Sequence, residues 1–247
     1  MSDKHAATHV VRLEEVGSTL DVAHQLAAAG AEGGTLIVAD AQTAGRGRMG
    51  RSWRSERGAG IWLTLIERPR DPSGLEVLSL RVGLALAREL DAFAAEPVRL
   101  KWPNDLYVTG RKLGGVLIEA RWREQNLEWL AIGVGINLRP PVSEPNAIGL
   151  REGMSRDDVL ERIVPSIRTA AAHGGPLDRD ELSAFADRDM AAGRRCIEPV
   201  AGIVRGITPS GALVVEVGLS DGNGSTMTEV RAGSLVLDEG AGGGTDR

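Results

Sequence analysis

Apolar residues recur along the chain at two spacings, and each spacing predicts a different kind of element. Short apolar or alternating runs predict strands at residues 10–16, 35–39, 61–66, 98–102, 106–108, 113–120 and 127–138. Helical spacing predicts helices at residues 19–29, 75–93, 155–172 and 180–192. Ser18 and Ser155 stand at the expected N-caps, and Gly30 stands where the first helix should end. Residues 109–112 predict a hairpin turn, and Pro165 predicts a kink or a break in the third helix.

The pattern changes after Gly193. Residues 202–204, 212–217 and 234–237 form short β runs separated by glycines. Such runs predict a small barrel of about 45 residues. We therefore expect a first domain at residues 1–192 and a second at 193–238. The glycine-rich residues 239–247 are expected to be disordered.

Composition narrows the class of protein. The chain has 247 residues, a net charge of -5 and 42% hydrophobic residues, which is typical of a globular protein of one or two domains. The acidic balance argues against a general nucleic-acid coat protein. No secretory signal or bilayer-spanning run is present, and the single cysteine, Cys196, allows no intramolecular disulfide. We expect Cys196 to be a small apolar side chain, and the protein to be cytoplasmic with no membrane contact.

A basic segment stands against this acidic background. Five arginines fall within twelve residues, interleaved with glycine: Arg46, Arg48, Arg51, Arg54 and Arg57. Arginine offers a planar fork of donors to carboxylate or phosphate, and glycine lets the backbone come close. On its own, the segment fits a loop that closes over an anion, a solvated surface loop or a nucleic-acid contact.

Three further segments decide between these readings. They are Ser18-Thr19 with Gln42, residues 101–105 (Lys-Trp-Pro-Asn-Asp) followed by residues 112–115 (Lys-Leu-Gly-Gly), and residues 133–137 (Gly-Val-Gly-Ile-Asn). In this order and spacing, and together with the arginine segment, they resemble the biotin protein ligases over most of residues 10–237. The resemblance implies an α+β fold: a mixed β-sheet catalytic domain of the biotin/lipoate ligase type with flanking helices, followed by a small SH3-like β-barrel.

The resemblance also implies a two-step reaction. The biotin carboxylate attacks the α-phosphate of ATP to give biotinyl-5'-adenylate, and a lysine of the acceptor protein then attacks the mixed anhydride. The expected acceptor is a biotin carboxyl carrier protein or domain of acetyl-CoA carboxylase or a related carboxylase. Mg²⁺ is expected with ATP. Because the species that precede transfer are anionic, such a site needs fixed cations and exclusion of water.

Cationic and aromatic positions carry the expected catalysis. By resemblance, Lys112 bridges the biotin carboxylate and the phosphate, and Arg46 and Arg48 neutralise both anions from a loop that orders over the ligand. Arg51 is expected to help that loop fold or to touch the triphosphate. Trp53 is expected to cover the adenine ring or to anchor the core. Arg54 and Arg57 are expected to be surface charges.

Polar positions are expected to read the biotin head. By resemblance these are Ser18, Thr19 and Gln42, whose hydroxyls and amide can satisfy the ureido donors and acceptor. Leu20 departs from the family, which usually has asparagine there. Glycines match positions where a side chain would block biotin or the nucleotide, or where the backbone approaches the ligand: Gly47, Gly114, Gly115, Gly133 and Gly135.

Four residues have less defined roles. Asp105 is a candidate for catalysis or magnesium binding, with structural hydrogen bonding an equal alternative. Asn104 is expected to orient its neighbours beside the nucleotide, and Asn137 to fix the adenylate region. Trp102 is expected to be a pocket wall or core residue.

Alternatives stay open at this stage. A lipoate ligase would share the fold, a nucleic-acid-binding regulator would use the arginine segment, and a biotin sensor would bind without catalysis. The arginine segment and Gln42 favour biotin, and the intact Lys112 favours catalysis. Only about ten residues precede the first strand, so we expect the monofunctional type, with no nucleic-acid partner. A homodimer is left open.

Overall fold

The computed structural model describes residues 7–219 and 224–238, so the predicted disordered tail at residues 239–247 lies outside the described residues. The first part of the chain runs through β1 (His9–Val16), α1 (Thr19–Ala28), β2 (Thr35–Gln42), β3 (Gly60–Glu67), α2 (Leu78–Leu90), β4 (Arg99–Lys101), β5 (Asp105–Val108), β6 (Arg111–Arg123) and β7 (Asn126–Asn137). The rest follows as α3 (Arg156–Ala171), α4 (Arg179–Arg188), β8 (Arg195–Glu198), β9 (Gly202–Ile207), β10 (Leu213–Gly218), β11 (Ser225–Val230) and β12 (Val236–Leu237).

Seven strands form one mixed sheet in the order β1-β2-β3-β7-β6-β5-β4. β1 and β2 are parallel and are joined by α1, because a parallel pair needs a crossover connection. The other neighbours pair antiparallel. The prediction of a mixed sheet with flanking helices is therefore confirmed.

The two faces of the sheet bury different helices, as the alternation of side chains along a strand requires. On β2, Ile37 joins a cluster with Leu20 and Ala23 of α1. Its neighbours Leu36 and Val38 point the other way, into the larger core that α2 and α3 also fill. The sheet is thus covered by α1 on one face and by the other helices on the opposite face.

The C-terminal strands form a second sheet in the order β11-β10-β9-β8-β12, with antiparallel pairing throughout. Cys196 is fully buried in it, as expected for a small apolar side chain. Trp102 ties the two sheets together, because its Nε1 donates to the carbonyl of Gly211 at 2.9 Å.

Three helix predictions differ from the structure. The predicted helix at 75–93 is a 3₁₀ turn at Leu75–Val77 followed by α2, which ends at Leu90. The predicted helix at 180–192 ends at Arg188. Pro165 does not break α3, which is continuous from Arg156 to Ala171 and carries the predicted cap at Ser155. Its buried face, with Ile163 and Ile167, holds the helix on the core across the proline.

Candidate active site

One cavity of about 410 Å³ lies against the sheet face that α1 flanks. With the exception of Gly114, the residues that the sequence assigned to catalysis, biotin or the nucleotide line it: Ser18, Thr19, Leu20, Gln42, Arg46, Gly47, Arg48, Arg51, Trp53, Asn104, Asp105, Lys112, Gly115, Gly133, Gly135 and Asn137. The structure therefore brings the separate motifs into one place. The individual roles stay predictions.

Lys112 follows a two-residue turn in which Thr109 and Gly110 both have positive φ, 50° and 75°. That turn type matches the twist of the β5–β6 hairpin and fixes its register. The main chain of Lys112 is held further, because its N–H donates to Asn146 at 2.8 Å and its carbonyl accepts from Ile148 at 2.9 Å. The side chain then reaches into the cavity, where Nζ lies 2.7 Å from Asp105 Oδ1 and 5.3 Å from the Trp53 ring centroid.

Arg48 lies deeper than its neighbours in the arginine segment. Burial lowers the pKa of its guanidinium, the charge of Asp105 opposes that shift, and Arg51 adds to it. Its Nη1 donates to the carbonyl of Gly233 at 3.3 Å, so the segment reaches the C-terminal sheet. The preceding Gly47 is in extended backbone, and a Cβ there would lie 3.3 Å from the Arg51 carbonyl.

The other arginines divide into two groups. Arg51 and Arg54 line the cavity, although Arg54 was expected to be a plain surface charge. Arg57 pairs with Glu15 at 3.3 Å, with both side chains more than half exposed. Arg46 lines the cavity, but its guanidinium pairs with two carboxylates, Asp21 at 2.8 Å and Glu119 at 3.1 Å.

The expected biotin-reading residues form a hydrogen-bonded cluster at the ends of β1 and β2. Parallel pairing aligns Val16 with Gln42, which brings the start of α1 beside the end of β2. Gln42 Oε1 accepts from the main-chain N–H of Thr19 at 2.8 Å and from Thr19 Oγ1 at 3.1 Å. Gln42 Nε2 donates to Ser55 Oγ at 2.8 Å, and Thr64 donates to Thr19 Oγ1 at 2.9 Å.

Ser18 is the N-cap of α1, as the sequence indicated. Its Oγ accepts from the main-chain N–H of Leu20 at 3.3 Å. An N-cap serine uses only an acceptor lone pair, which leaves the hydroxyl proton for another acceptor. Capping and ligand recognition are therefore compatible at this residue.

Gly133 and Gly135 are two residues apart on β7 and face the cavity together. A Cβ on Gly135 would lie 2.6 Å from Trp53 Nε1, and one on Gly133 would lie 3.2 Å from Leu20 Cδ2. The nearest atom to an added Cβ on Gly133 is the Leu117 carbonyl oxygen, at 3.1 Å, so the close approach is made here by protein backbone as well as by side chains. Trp53 Nε1 is buried and has no hydrogen-bond partner among the described residues.

The remaining predicted residues support the cavity wall. Asn104 Nδ2 donates to the carbonyl of Val116 at 2.7 Å, and Asn137 Nδ2 donates to the carbonyl of Lys112 at 3.4 Å. Gly115 faces Asp105, whose Oδ1 would lie 3.2 Å from an added Cβ. Gly114 does not line the cavity; an added Cβ would lie 2.5 Å from the carbonyl of Gly135 within the sheet. Trp102 is buried, and it also forms part of the wall.

The sequence reasoning missed a second set of wall residues. They come from the loop after β7 and from the segment that leads into the first residue of β12: Pro141, Glu144, Asn146, Ala147, Ser234, Leu235 and Val236. Thr64 and Ser55 were also missed, although they complete the cluster around Gln42. Thr64 lies at a fully buried position inside β3, and a polar residue within an apolar run was the available signal.

The cavity offers few side chains that could coordinate a metal ion. Among the residues that the structure describes, no group of three or more His, Cys, Asp or Glu side chains could hold a metal ion. Asp105 is a single carboxylate beside Lys112. One carboxylate fits Mg²⁺ that is held largely by substrate phosphates and water, and it does not fit a protein-built metal cage.

Comparison with known proteins shows similarity over most of the chain. The profile of the Biotin/lipoate A/B protein ligase family matches residues 14–137, about half of the chain. The chain is 30% identical over 240 residues to the biotin--[acetyl-CoA-carboxylase] ligase of Mycobacterium tuberculosis, covering 90% of this chain and 86% of that protein. Over 172 residues it is 37% identical to the bifunctional ligase/repressor BirA of Bacillus subtilis, covering 69% of this chain and 49% of that protein.

The length of the matched relatives and the similarity of the fold to a solved structure add to this comparison. The chain spans 40% to 62% of the length of the bifunctional ligase/repressors that it matches. The fold is that of the biotin protein ligase from Aquifex aeolicus solved with biotin and ATP, with a TM-score of 0.72, 24% identity, and coverage of 94% of this chain and 99% of that one. In the described part of this chain, no helix is long and apolar enough to cross a membrane.

Proposed function

The chain belongs to the biotin/lipoate A/B protein ligase family, and we propose that it is an ATP-dependent biotin protein ligase. It forms biotinyl-5'-AMP from biotin and ATP, and then transfers biotin to a lysine of a biotin carboxyl carrier protein. The carrier is that of acetyl-CoA carboxylase or a related carboxylase. The observation that carries this proposal is the single cavity in which Lys112, Arg48, Gln42 and Trp53 all meet.

Lys112 is the central catalytic group of this proposal. Two anions must approach each other before the carboxylate can attack phosphorus, and a fixed cation between them offsets their repulsion. Its Nζ lies 2.7 Å from Asp105 Oδ1 and over the Trp53 ring. Asp105 therefore keeps the ammonium inside the cavity, ready for the substrate oxygens.

Arg48 and Arg51 supply the further positive charge. Arg48 is withdrawn from solvent and is anchored through Gly233, so its guanidinium is held in place before the reaction. Preorganised donors of this kind stabilise developing charge without reorganisation during the chemical step.

The cluster around Gln42 suits the biotin head. The Thr19 hydroxyl donates to Gln42 and accepts from Thr64, whereas the Ser18 hydroxyl proton is not used by the cap. We therefore assign Ser18 as the donor to the ureido carbonyl, and Gln42 and Thr19 as the framework that holds it. The wall opposite is apolar, because Leu20 packs against Gly133.

The part of the cavity expected to bind the nucleotide is formed by Trp53, Asn104 and Asn137. The indole packs edge-on against Trp62, with ring centroids 6.4 Å apart, and its Nε1, which has no hydrogen-bond partner in the described part of the chain, faces Gly135. Mg²⁺ arrives with ATP in this proposal and would neutralise phosphate charge, with Asp105 as the protein carboxylate able to hold it.

Three finer assignments accompany the proposal. The C-terminal sheet is a small SH3-like barrel, which its five short antiparallel strands and the two register shifts in β10 and β12 support. The protein works in the cytoplasm without a nucleic-acid partner, in keeping with its net charge of -5.

The test is transfer of labelled biotin to a purified biotin carboxyl carrier domain in the presence of ATP and Mg²⁺. Labelled acceptor supports the proposal. Biotin-dependent pyrophosphate exchange without transfer means that the carrier is the wrong one. Absence of both, with lipoate active in the same exchange assay, assigns the cavity to lipoate instead.

A further inference from the structure

Arg46 is engaged by two protein carboxylates. Its Nη1 lies 2.8 Å from Asp21 Oδ1, in the first turn of α1, and its Nη2 lies 3.1 Å from Glu119 Oε2, on β6. The guanidinium thus bridges two elements that are far apart in sequence. Both partners carry negative charge, so this arginine does not add free positive charge to the cavity.

Glu119 is itself oriented by a histidine. Its Oε2 lies 2.8 Å from His24 Nε2, while His24 Nδ1 lies 2.9 Å from Trp129 Nε1. An indole N–H can only donate, so His24 Nδ1 must be the acceptor. With Nδ1 as the acceptor, His24 Nε2 is the ring nitrogen that donates to Glu119. The carboxylate receives one donor from His24 and one from Arg46.

The far end of this chain of contacts is rigid. Trp129 is 7% exposed, belongs to the cluster under α1, and has the Arg68 guanidinium 5.6 Å above its ring. Arg68 in turn donates to the carbonyls of Ala27, Ala31 and Glu128. The position of Glu119 is thus set by packed structure and not by the cavity contents.

At the other end of this chain of contacts, Arg46 belongs to the segment that forms part of the cavity wall. Arg46 pairs with Ser52 in a bridge that closes the base of the arginine segment, and Gly47 donates to the carbonyl of Arg51 at 2.7 Å. Arg48, two residues on, faces the cavity. Fixing Arg46 therefore fixes the base of the segment that presents Arg48.

We propose that Glu119, oriented by His24 and Trp129, is a positioning residue that anchors Arg46 and keeps the arginine segment seated over the cavity. Arg46 is then an anchor of that segment and not a ligand of the substrate anions. The expected consequence of this anchoring is retention of the adenylate, and that consequence rests on the proposed function. The anchoring itself involves contacts within the chain alone.

The first experiment needs no substrate. Trypsin cleaves after arginine, so cleavage after Arg48 and Arg51 reports opening of the segment. We expect Glu119→Gln to be cleaved there roughly tenfold faster than wild type, since the ion pair with Arg46 is replaced by a weaker hydrogen bond to a neutral amide. The matched control is Glu15→Gln, which breaks the Arg57 pair outside the cavity and should leave the cleavage rate unchanged.

The second experiment measures escape of preformed biotinyl-adenylate, labelled from α-labelled ATP, in a double-mutant cycle. If Arg46 is only an anchor, Arg46→Met, Glu119→Gln and the double variant release adenylate at similar raised rates. If Arg46 binds the anions, Arg46→Met raises the release rate of adenylate by the same factor in the Glu119→Gln background as in wild type. That result would show that the proposal is wrong.

Two outcomes separate this inference from the proposed function. Wild-type cleavage of Glu119→Gln overturns the anchor whether or not the protein is a ligase. Absence of biotin-dependent pyrophosphate exchange in wild type overturns the function and leaves the cleavage result standing. If Glu119→Gln does not fold, Asp21→Asn removes the other, half-exposed partner of Arg46 and gives the same two readings.

Discussion

Lys112 Nζ lies 2.7 Å from Asp105 Oδ1 inside the cavity, so the residue expected to bridge two substrate anions is already held by a protein anion. The pair keeps an otherwise flexible side chain in one place. Substrate binding must exchange this partner for the carboxylate and phosphate oxygens. The same carboxylate also acts on Arg48, whose pKa it raises against the lowering by burial.

Lys112→Ala should abolish most adenylation without unfolding the chain. Removing one preformed electrostatic group from an anionic transition state costs roughly a hundredfold to a thousandfold in rate. Biotin-dependent pyrophosphate exchange measures the loss. Arg111→Ala, at the exposed residue next to it, is the control and should keep the wild-type rate. An unimpaired Lys112→Ala enzyme would contradict the role given to this lysine.

Arg48→Ala should release the adenylate early. The substitution removes both the half-buried guanidinium and its hydrogen bond to Gly233, so we expect roughly tenfold faster escape of labelled adenylate. Arg57→Ala removes an arginine from the same segment but outside the cavity and should have little effect. Equal retention in the two variants would refute closure through Arg48.

Gly135→Ala and Gly133→Ala should separate the two substrates. The added Cβ of Gly135→Ala would lie 2.6 Å from Trp53 Nε1 and must displace a stiff indole, so the KM for ATP should rise roughly tenfold or more. In Gly133→Ala the Cβ would lie 3.2 Å from the Leu20 side chain, on the biotin side. That change should raise the KM for biotin more than the KM for ATP, and the opposite pattern would reverse the assignment of the two sides.

Glu181 should make stability depend on pH in acid. Burial alone would raise the pKa of Glu181, but hydrogen bonds from Arg81 and from the Asp178 N–H, together with the Arg81 charge, bring it below its ordinary value. A lowered folded-state pKa stabilises the fold above the unfolded-state pKa of about 4.3, and that contribution is lost as the pH falls through the folded-state pKa.

Glu181→Gln isolates the charge of this pair, because glutamine can still accept the capping hydrogen bond from Asp178 at 3.0 Å. Arg81, which is 4% exposed, would be left buried without its anion. The free energy of unfolding should fall by roughly 3 kcal/mol at pH 7. Urea unfolding at pH 7 and near pH 3 checks this, and a wild-type advantage that persists unchanged in acid would be evidence against it.

The parts of the fold that could be predicted from sequence are those with a strong local signal. Apolar runs located the strands, Ser18 and Ser155 located helix starts, and the turn at Gly110 placed Lys112 correctly on a hairpin. Helix ends were less well predicted, because tertiary packing decides them. Pro165 shows this directly, since the buried face of α3 carries the helix through it.

The candidate site, too, could be predicted from the sequence only in part. Motifs identified residues that face the cavity, yet they did not indicate what each side chain contacts. Arg46 was expected to contact the substrate anions. Its carboxylate partners in the structure lie on α1 and β6, and no sequence pattern connects these positions with Arg46. Ser234 to Val236 were missed because their place beside the arginine segment follows only from how the second sheet packs on the first.

The hydrogen bond between Arg48 and the carbonyl of Gly233 has a consequence for biosynthesis. A ribosome delivers the motifs at residues 18 to 137 long before it delivers Gly233, so the growing chain can assemble most of the cavity while one wall is still missing. Under the proposed function, such a nascent chain would be unable to keep the adenylate anhydride from water. Retention of the intermediate would then begin late in synthesis, with the segment that leads into the last strand of the second sheet.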